Sequence, residues 1–212
     1  MIDTVIFDMD GTLLNTLDDI VESVNRTLIE FKFPARKKNE IRQFVGNGVN
    51  NLFEKALPQN TDYNIRSKCV EFFKKEYSKN MYINTTPYNG ILSLLKAIRN
   101  SCISTAIVSN KFDKAVKDLS SRYFGDLIDV AIGQSDKISS KPSTNGVYEV
   151  MRELRAKKVV FVGDSDIDIL TAKNARIPSI AVTWGYRDKE CLANANYIAE
   201  TPAELMKIIK SL

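Results

Sequence analysis

From Pro87 to Leu212 the sequence alternates short apolar runs with amphipathic stretches, and that alternation leaves the chain few folds to adopt. Apolar residues recur at helical spacing through Ile91, Leu94, Leu95 and Ile98, then Phe112, Ala115, Val116, Leu119 and Tyr123, then Val147, Val150, Met151 and Leu154. Ile167–Ala175 reads as a further short helix, and Leu205, Ile208, Ile209 and Leu212 as a closing one. Between them lie runs of strand character at Ile103–Val108, Leu127–Ile132, Val159–Val162, Ser179–Val182 and Tyr197–Ile198. Ile2–Phe7, broken by Asp3 and Thr4, reads as one more buried strand. Strands joined through helices by short links pack as a parallel, doubly wound α/β sheet.

Residues 15 to 83 follow another pattern. Leu17, Ile20, Val21, Val24, Leu28 and Phe31 mark one helical face, ended by Pro34. Ile41, Phe44 and Val45 suggest a short second helix closed by Gly46-Asn47-Gly48, and Val49–Leu57 a third, stopped near Pro58. Ile65, Cys69, Phe72, Phe73 and Tyr77 give a fourth, and no strand candidate falls in this span. The expected organisation is a Rossmann-like core of residues 1–14 and 84–212, carrying an inserted helical cap of residues 15–83. Leu14–Thr16 and Tyr82–Pro87 would be the hinges of a mobile cap.

In a doubly wound sheet the ligand sits beyond the carboxyl ends of the strands. Four strands here each deliver polar groups to that edge: Asp8 and Asp10 with Gly11 and Thr12, Ser109-Asn110, Lys141-Pro142, and Gly163-Asp164-Ser165-Asp166-Ile167-Asp168. Asp8-x-Asp10-Gly11 alone is equally a strand end and an Asp-Gly turn. Two carboxylates at i, i+2 can crowd one site, and a hard cation with oxygen ligands, such as Mg²⁺, relieves the repulsion. Gly11 lets backbone N–H groups approach an anion, and Thr12 adds a hydroxyl. Ser109 is either an N-cap or a donor to a phosphoryl oxygen, with the next amide opening a helix that attracts anions. Lys141 can offset charge in a transition state, and Asp164 can complete an oxygen shell with Asp8 and the Asp10 carbonyl. Asp168, one helical turn on, could reach the metal, a water or Lys141, whereas Asp166 reads as a helix-dipole residue. A carboxylate nucleophile, a second carboxyl and a metal suit phosphoryl transfer.

Composition narrows the classes. Among 212 residues there is no His, which removes histidine bases and nucleophiles and most zinc sites. The net charge of +4 is scattered and falls short of a nucleic-acid footprint, and the basic segments Arg36-Lys37-Lys38 and Lys157-Lys158 read as solvated charges. Cys69, Cys102 and Cys191 lie far apart and read as reduced thiols of a cytoplasmic protein. No apolar run approaches a membrane span, and no membrane partner is expected.

The set Asp8-x-Asp10-Gly11-Thr12, Ser109-Asn110, Lys141-Pro142 and Gly163-Asp164-x-x-x-Asp168 resembles the haloacid dehalogenase superfamily of phosphatases. The segment 15–83 resembles that superfamily's α-helical cap. Phe44–Val49, with Leu52, Ala56 and Leu57, and the run Asn110-Lys111-Phe112 are similar to the phosphoglycolate phosphatase subgroup. The resemblance implies a Mg²⁺-dependent hydrolase of a small phosphomonoester, with 2-phosphoglycolate the named expectation. It makes Asp8 the nucleophile that forms an aspartyl-phosphate and Asp10 the acid, then the base. Ser109, Asn110 and Lys141 would hold the phosphoryl group, and Asp8, Asp10 (by its carbonyl), Asp164 and Asp168 would serve the metal. Gly46, Asn47 and Gly48 are the cap's candidates for substrate contact, with Arg42 nearby for a substrate carboxylate. Asn15 stands where relatives often carry an acid, Thr144 where many have Pro, and Ile167 where a polar residue is common. A sugar phosphomutase or a pyrophosphatase on the same fold is the alternative; a 2-haloacid dehalogenase and a non-enzymatic phosphate-binding protein fit less well. A monomer or weak dimer is expected.

Overall fold

The computed structural model describes residues 1–212. Its centre is a six-stranded, wholly parallel sheet of β1 (Thr4–Phe7), β4 (Ser104–Phe112), β5 (Val130–Gln134), β6 (Val159–Gly163), β7 (Ser179–Val182) and β8 (Tyr197–Ala199). The spatial order is β5-β4-β1-β6-β7-β8, with Ile6 of β1 in register with Ala106 and Phe161 on either side. β1 is thus central, and the chain runs outward from it in both directions, which opens a crevice at its carboxyl end. All four residues of β1 are buried, as a strand covered on both faces demands.

Helices α5 (Ile91–Asn100), α6 (Asp113–Phe124), α7 (Asn145–Leu154), α8 (Asp166–Ala175) and α9 (Pro202–Ser211) cover the sheet. One apolar cluster, including Ile6, Val108, Val147, Val150 and Phe161, fills the α7 side. A larger one joins Phe7, Ile107, Leu95 and Leu119 to Val24, Phe53 and Phe73. The last three belong to α1 (Leu17–Glu30), α3 (Gly48–Ala56) and α4 (Tyr63–Asn80), which with α2 (Lys38–Phe44) form the helical insertion. The insertion therefore shares a continuous apolar interior with the sheet layer. α1 buries Leu17, Ile20, Val24 and Leu28 on one stripe, and α4 is capped by Asp62, whose carboxylate accepts the Asn64 and Ile65 N–H groups.

Three expectations are corrected. The strand expected at Ile103–Val108 runs on to Phe112, with a register irregularity against β5 between Val108 and Phe112. Ser109 and Asn110 thus lie in the strand, and the helix that follows starts only at Asp113; the amide after Ser109 opens no helix. The reason is local: the bulged segment re-aims polar side chains within a strand, and an apolar-run criterion stops where they begin. The strand expected at Leu127–Ile132 is split, because Gly125–Leu127 forms a turn of 3₁₀ helix and the strand spans Val130–Gln134. Two short strands also flank the insertion. β2 (Leu14–Asn15) pairs antiparallel with β3 (Thr86–Pro87), Leu14 opposite Pro87 and Asn15 opposite Thr86. The boundaries expected at 14/15 and 83/84 fall on and beside this ladder. No helix is long and apolar enough to cross a membrane.

Candidate active site

The sheet's carboxyl edge brings Asp8, Ser109, Lys141, Asp164 and Asp168 together, all buried. Carboxylate oxygens of Asp8, Asp164 and Asp168 lie within 4.8 Å of one another. The Lys141 ammonium bridges two of them, 2.8 Å from Asp8 Oδ1 and 2.6 Å from Asp168 Oδ1, with its side chain only 3% exposed. Burial alone would lower the Lys141 pKa, but the two carboxylates outweigh it and hold the amine charged, above its usual range. Burial comes first in pushing the Asp8 carboxyl up to about 6, with Asp168 and Asp10 adding to the rise and Lys141 opposing it. Burial likewise pushes Asp164 up to about 8, again helped by Asp168 and Asp8. Three acids against one amine leave a local excess of negative charge, an environment made for a cation.

Each group is held by its neighbours. Asp164 accepts from Thr12 Oγ1 at 3.2 Å and from the Tyr186 amide at 2.7 Å. Asp168 closes a capping box at the start of α8: its Oδ2 accepts from the Ser165 amide at 3.1 Å and the Ser165 hydroxyl at 2.6 Å. Both Asp168 oxygens are thereby engaged, one by the helix and one by Lys141. Asp166 is the first residue of α8 and exposed. Asp8 Oδ1, in contrast, accepts no well-aligned hydrogen bond and meets only Lys141.

Asp10 points elsewhere. Its Oδ1 accepts from Thr16 Oγ1 at 2.7 Å and its Oδ2 from Lys111 Nζ at 2.9 Å, and its carboxylate is not part of the three-acid group. It shares with Asp8 the wall of a small pocket of about 50 Å³ between sheet and insertion. Ile20, Val45, Val49, Leu52, Phe73 and Phe112 give it apolar lining, and Gly46 and Gly48 line it too.

Several expected contacts are spent differently. The Asn110 side chain donates to the carbonyls of Gly46 (2.8 Å) and Lys141 (3.1 Å) and accepts from the Lys141 amide (2.6 Å). It positions the Lys141 loop and the turn before α3, and no donor is left over for a phosphoryl group. The Thr12 hydroxyl is likewise given to Asp164. Gly11 has a φ of 87°, and a Cβ there would sit 2.4 Å from Asp164 Oδ2. Asn47 precedes α3 and does not line the pocket. Arg42 lies outside it, 3.2 Å from Asp188, while its carbonyl accepts from Arg187 at 3.0 Å. Lys37, Lys38, Lys157 and Lys158 are exposed, as solvated charges should be, but Arg36 is half-buried and donates to the Ala56 carbonyl at 2.7 Å, so it serves the packing of the insertion instead.

The sequence reading assigned no role to Trp184-Gly185-Tyr186-Arg187, which follows β7. Trp184 donates to the Thr12 carbonyl at 3.0 Å, Tyr186 Oη accepts from the Thr16 amide at 2.8 Å, and Arg187 donates to the carbonyls of Arg42 and Val45. The rule that led to the other four loops points to this one too, but no acid, serine or lysine marks it as chemical.

The comparisons agree with this arrangement. Residues 5–182 match the family model of haloacid dehalogenase-like hydrolases. The chain is 29% identical to a phosphoglycolate phosphatase of Aquifex aeolicus over 97% of this chain and 95% of the relative. With a phosphoglycolate phosphatase of Vibrio parahaemolyticus it shares 27% identity over the same fractions. A crystal structure from Lactobacillus delbrueckii subsp. bulgaricus, of a protein assigned by prediction as a phosphoglycolate phosphatase, superposes with a TM-score of 0.92 at 30% identity, covering 99% of both chains. Four polar strand ends converging on one buried point, and a family match spanning β1 to β7, give one conclusion: the chain belongs to the haloacid dehalogenase-like hydrolases.

Proposed function

We propose that this hydrolase is a phosphatase of small phosphomonoesters, with 2-phosphoglycolate the leading substrate. The observation that carries the reading is the placement of Asp8. Its Oδ1 is buried, nearly unpartnered and 2.8 Å from Lys141, and it shares a pocket wall with a second acid, Asp10. In the proposed sequence an Asp8 oxygen bonds to phosphorus as the ester P–O bond breaks, and Asp10 gives its proton to the departing alkoxide. A water then attacks phosphorus, Asp10 takes the water's proton, the Asp8 O–P bond breaks to restore the carboxylate, and inorganic phosphate leaves. Lys141 offsets charge on Asp8 and the phosphoryl group, and Ser109 is a candidate donor to it.

A divalent cation fits the residues present. Asp8, Asp164 and Asp168 crowd oxygens alone, with neither sulfur nor imidazole, which suits Mg²⁺. Asp8, Asp164 and the Asp10 carbonyl would hold it, with Asp168 fixed behind them by Lys141 and Ser165. When bound, it neutralises charge on the reacting oxygens. The pocket favours a leaving group of few atoms over a hexose, whose hydroxyls would meet mainly apolar walls.

A phosphomonoester panel with wild type and Asp8→Asn, with and without chelator, tests this. Phosphoglycolate should be hydrolysed fastest, chelator should abolish turnover, and Asp8→Asn should cost roughly 10³-fold or more. Activity surviving Asp8→Asn would sink the nucleophile assignment. Equal turnover of pyrophosphate or a hexose 1-phosphate would move the function to the alternative reading.

A further inference from the structure

The pocket above Asp8 and Asp10 is lined by a single cationic residue, Lys111. Its side chain is 5% exposed, yet its ammonium makes one hydrogen bond, to Asp10. An ammonium has three donors, so two are unused in a place with little water to satisfy them. Lys111 Nζ lies 4.5 Å from the centroid of the Tyr77 ring. Tyr77 is fully buried and also lines the pocket, and its hydroxyl has no partner. The ring is fixed by stacking on Phe73 (5.4 Å) and by an edge contact with Phe112 (6.2 Å), so the hydroxyl cannot turn away without repacking the insertion. A buried ammonium short of acceptors thus lies against the ring of a tyrosine whose hydroxyl is an orphan, in the wall of the pocket that Asp8 and Asp10 share. Two arginines lie near this face without lining the pocket: Arg42 pairs with Asp188, and the Arg187 guanidinium is given to the carbonyls of Arg42 and Val45.

We propose that Lys111 is the specificity-determining residue of this site: with Tyr77 it receives a carboxylate carried by the leaving group of the phosphoester. The proposal rests on the phosphatase reading and names the substrate class within it, phosphoesters of small hydroxy acids. Lys111 is two residues beyond Ser109 on β4, and both line the pocket. One strand end thereby addresses the phosphoryl group with a hydroxyl and the far end of the substrate with a charge. The single bond to Asp10 gives Lys111 a second effect, since an incoming carboxylate competes for the amine that holds the acid. Lys111 thus links recognition of the leaving group to the residue that protonates it.

The test compares 2-phosphoglycolate with 2-hydroxyethyl phosphate, which has nearly the same shape and no carboxylate. The readout is the ratio of their kcat/KM values in wild type, Lys111→Met and Tyr77→Phe. Wild type should favour phosphoglycolate by at least about 10-fold, and Lys111→Met should reduce that ratio roughly 10- to 100-fold, mostly through KM. Tyr77→Phe loses no hydrogen bond of the free protein and keeps the ring, so it reports even if Lys111→Met folds poorly; its ratio should fall about threefold or more. If Lys111→Met and Tyr77→Phe slow both esters equally and leave the ratio at the wild-type value, Lys111 serves Asp10 alone and the proposal is overturned. A wild type that hydrolyses both esters with equal efficiency also overturns it while the phosphatase reading stands. A wild type that hydrolyses neither overturns both.

Discussion

Gly11 and Gly185 stand against Asp164 from two sides, and a Cβ at either would lie within 2.4 Å of Asp164 Oδ2. At Gly11 the φ of 87° adds a second obstacle, since L side chains rarely adopt it. Gly11→Ala is therefore expected to displace Asp164 as well as strain the turn. A stability loss of about 1–3 kcal/mol should accompany a fall in turnover of roughly 10²-fold, read from denaturant unfolding and from steady-state rates. Near-wild-type values of both would mean that the turn absorbs a side chain. At this scale no single acidic turn was decisive; the acids were legible because four strand ends deliver polar groups to the same edge of a parallel sheet. Lys111 was seen only as part of a motif, because the sequence does not reveal a surface lysine from a buried one. The Asn110 and Thr12 side chains were read as phosphate ligands, and their spending on Lys141, Gly46 and Asp164 became visible only with the partners in place.

The ladder between β2 and β3 is tied to α1 by one buried side chain, Asp19. Its carboxylate accepts from the Asn84 amide (2.9 Å), the Asn84 side chain (3.0 Å), the Thr85 amide (2.9 Å) and the Thr85 hydroxyl (2.7 Å). Both chain crossings between insertion and sheet layer are thus pinned where the hinges were expected. Asp19→Ala would strand the buried Thr85 amide and hydroxyl, while the exposed Asn84 donors turn to water, and should cost about 1–3 kcal/mol in urea unfolding, with faster hydrogen exchange at Thr85. A cost below ~1 kcal/mol would show that water replaces the carboxylate there. In the sequence Asp19 looks like one more acid in a helix first turn, where acids are common. Helix faces were read because burial repeats along them, although on α4 the expected Ile65 is exposed and Val70 is buried instead. The extension of β4 past Val108 was not, because its last residues are polar and serve the site rather than the core.

Across the whole molecule, the buried acids make stability depend on pH and on divalent ions. Asp8 and Asp164 are pushed up to about 6 and about 8, from an ordinary carboxyl value of 3.8. A carboxyl whose pKa is raised by folding adds stability below its unfolded value, and that contribution is lost as pH rises through the folded value. In the absence of divalent cations, Tm should therefore fall as pH rises from about 4 towards 8 on account of these two groups. Mg²⁺, binding the ionised form, should raise Tm more at pH 8 than at pH 5. Scanning calorimetry with and without chelator decides this, and a Mg²⁺ shift that is larger at the acid end would count against the three-acid cluster as its site.

The sequence by itself determined the strand–helix alternation, the helical insertion and the edge on which the acids, Ser109 and Lys141 would meet. These depend on periodicity and on the order of elements along the chain, and a parallel sheet places successive strand ends on one side. Only the tertiary structure decided which side chain touches which: Lys141 between Asp8 and Asp168, Asp10 turned to Thr16 and Lys111, and Trp184–Arg187 closing over the turns. Those pairings join residues up to 172 positions apart, as from Trp184 to Thr12, and no local pattern encodes them. They follow from the packing of the insertion on the sheet, which sets what is buried and therefore which charges must find one another.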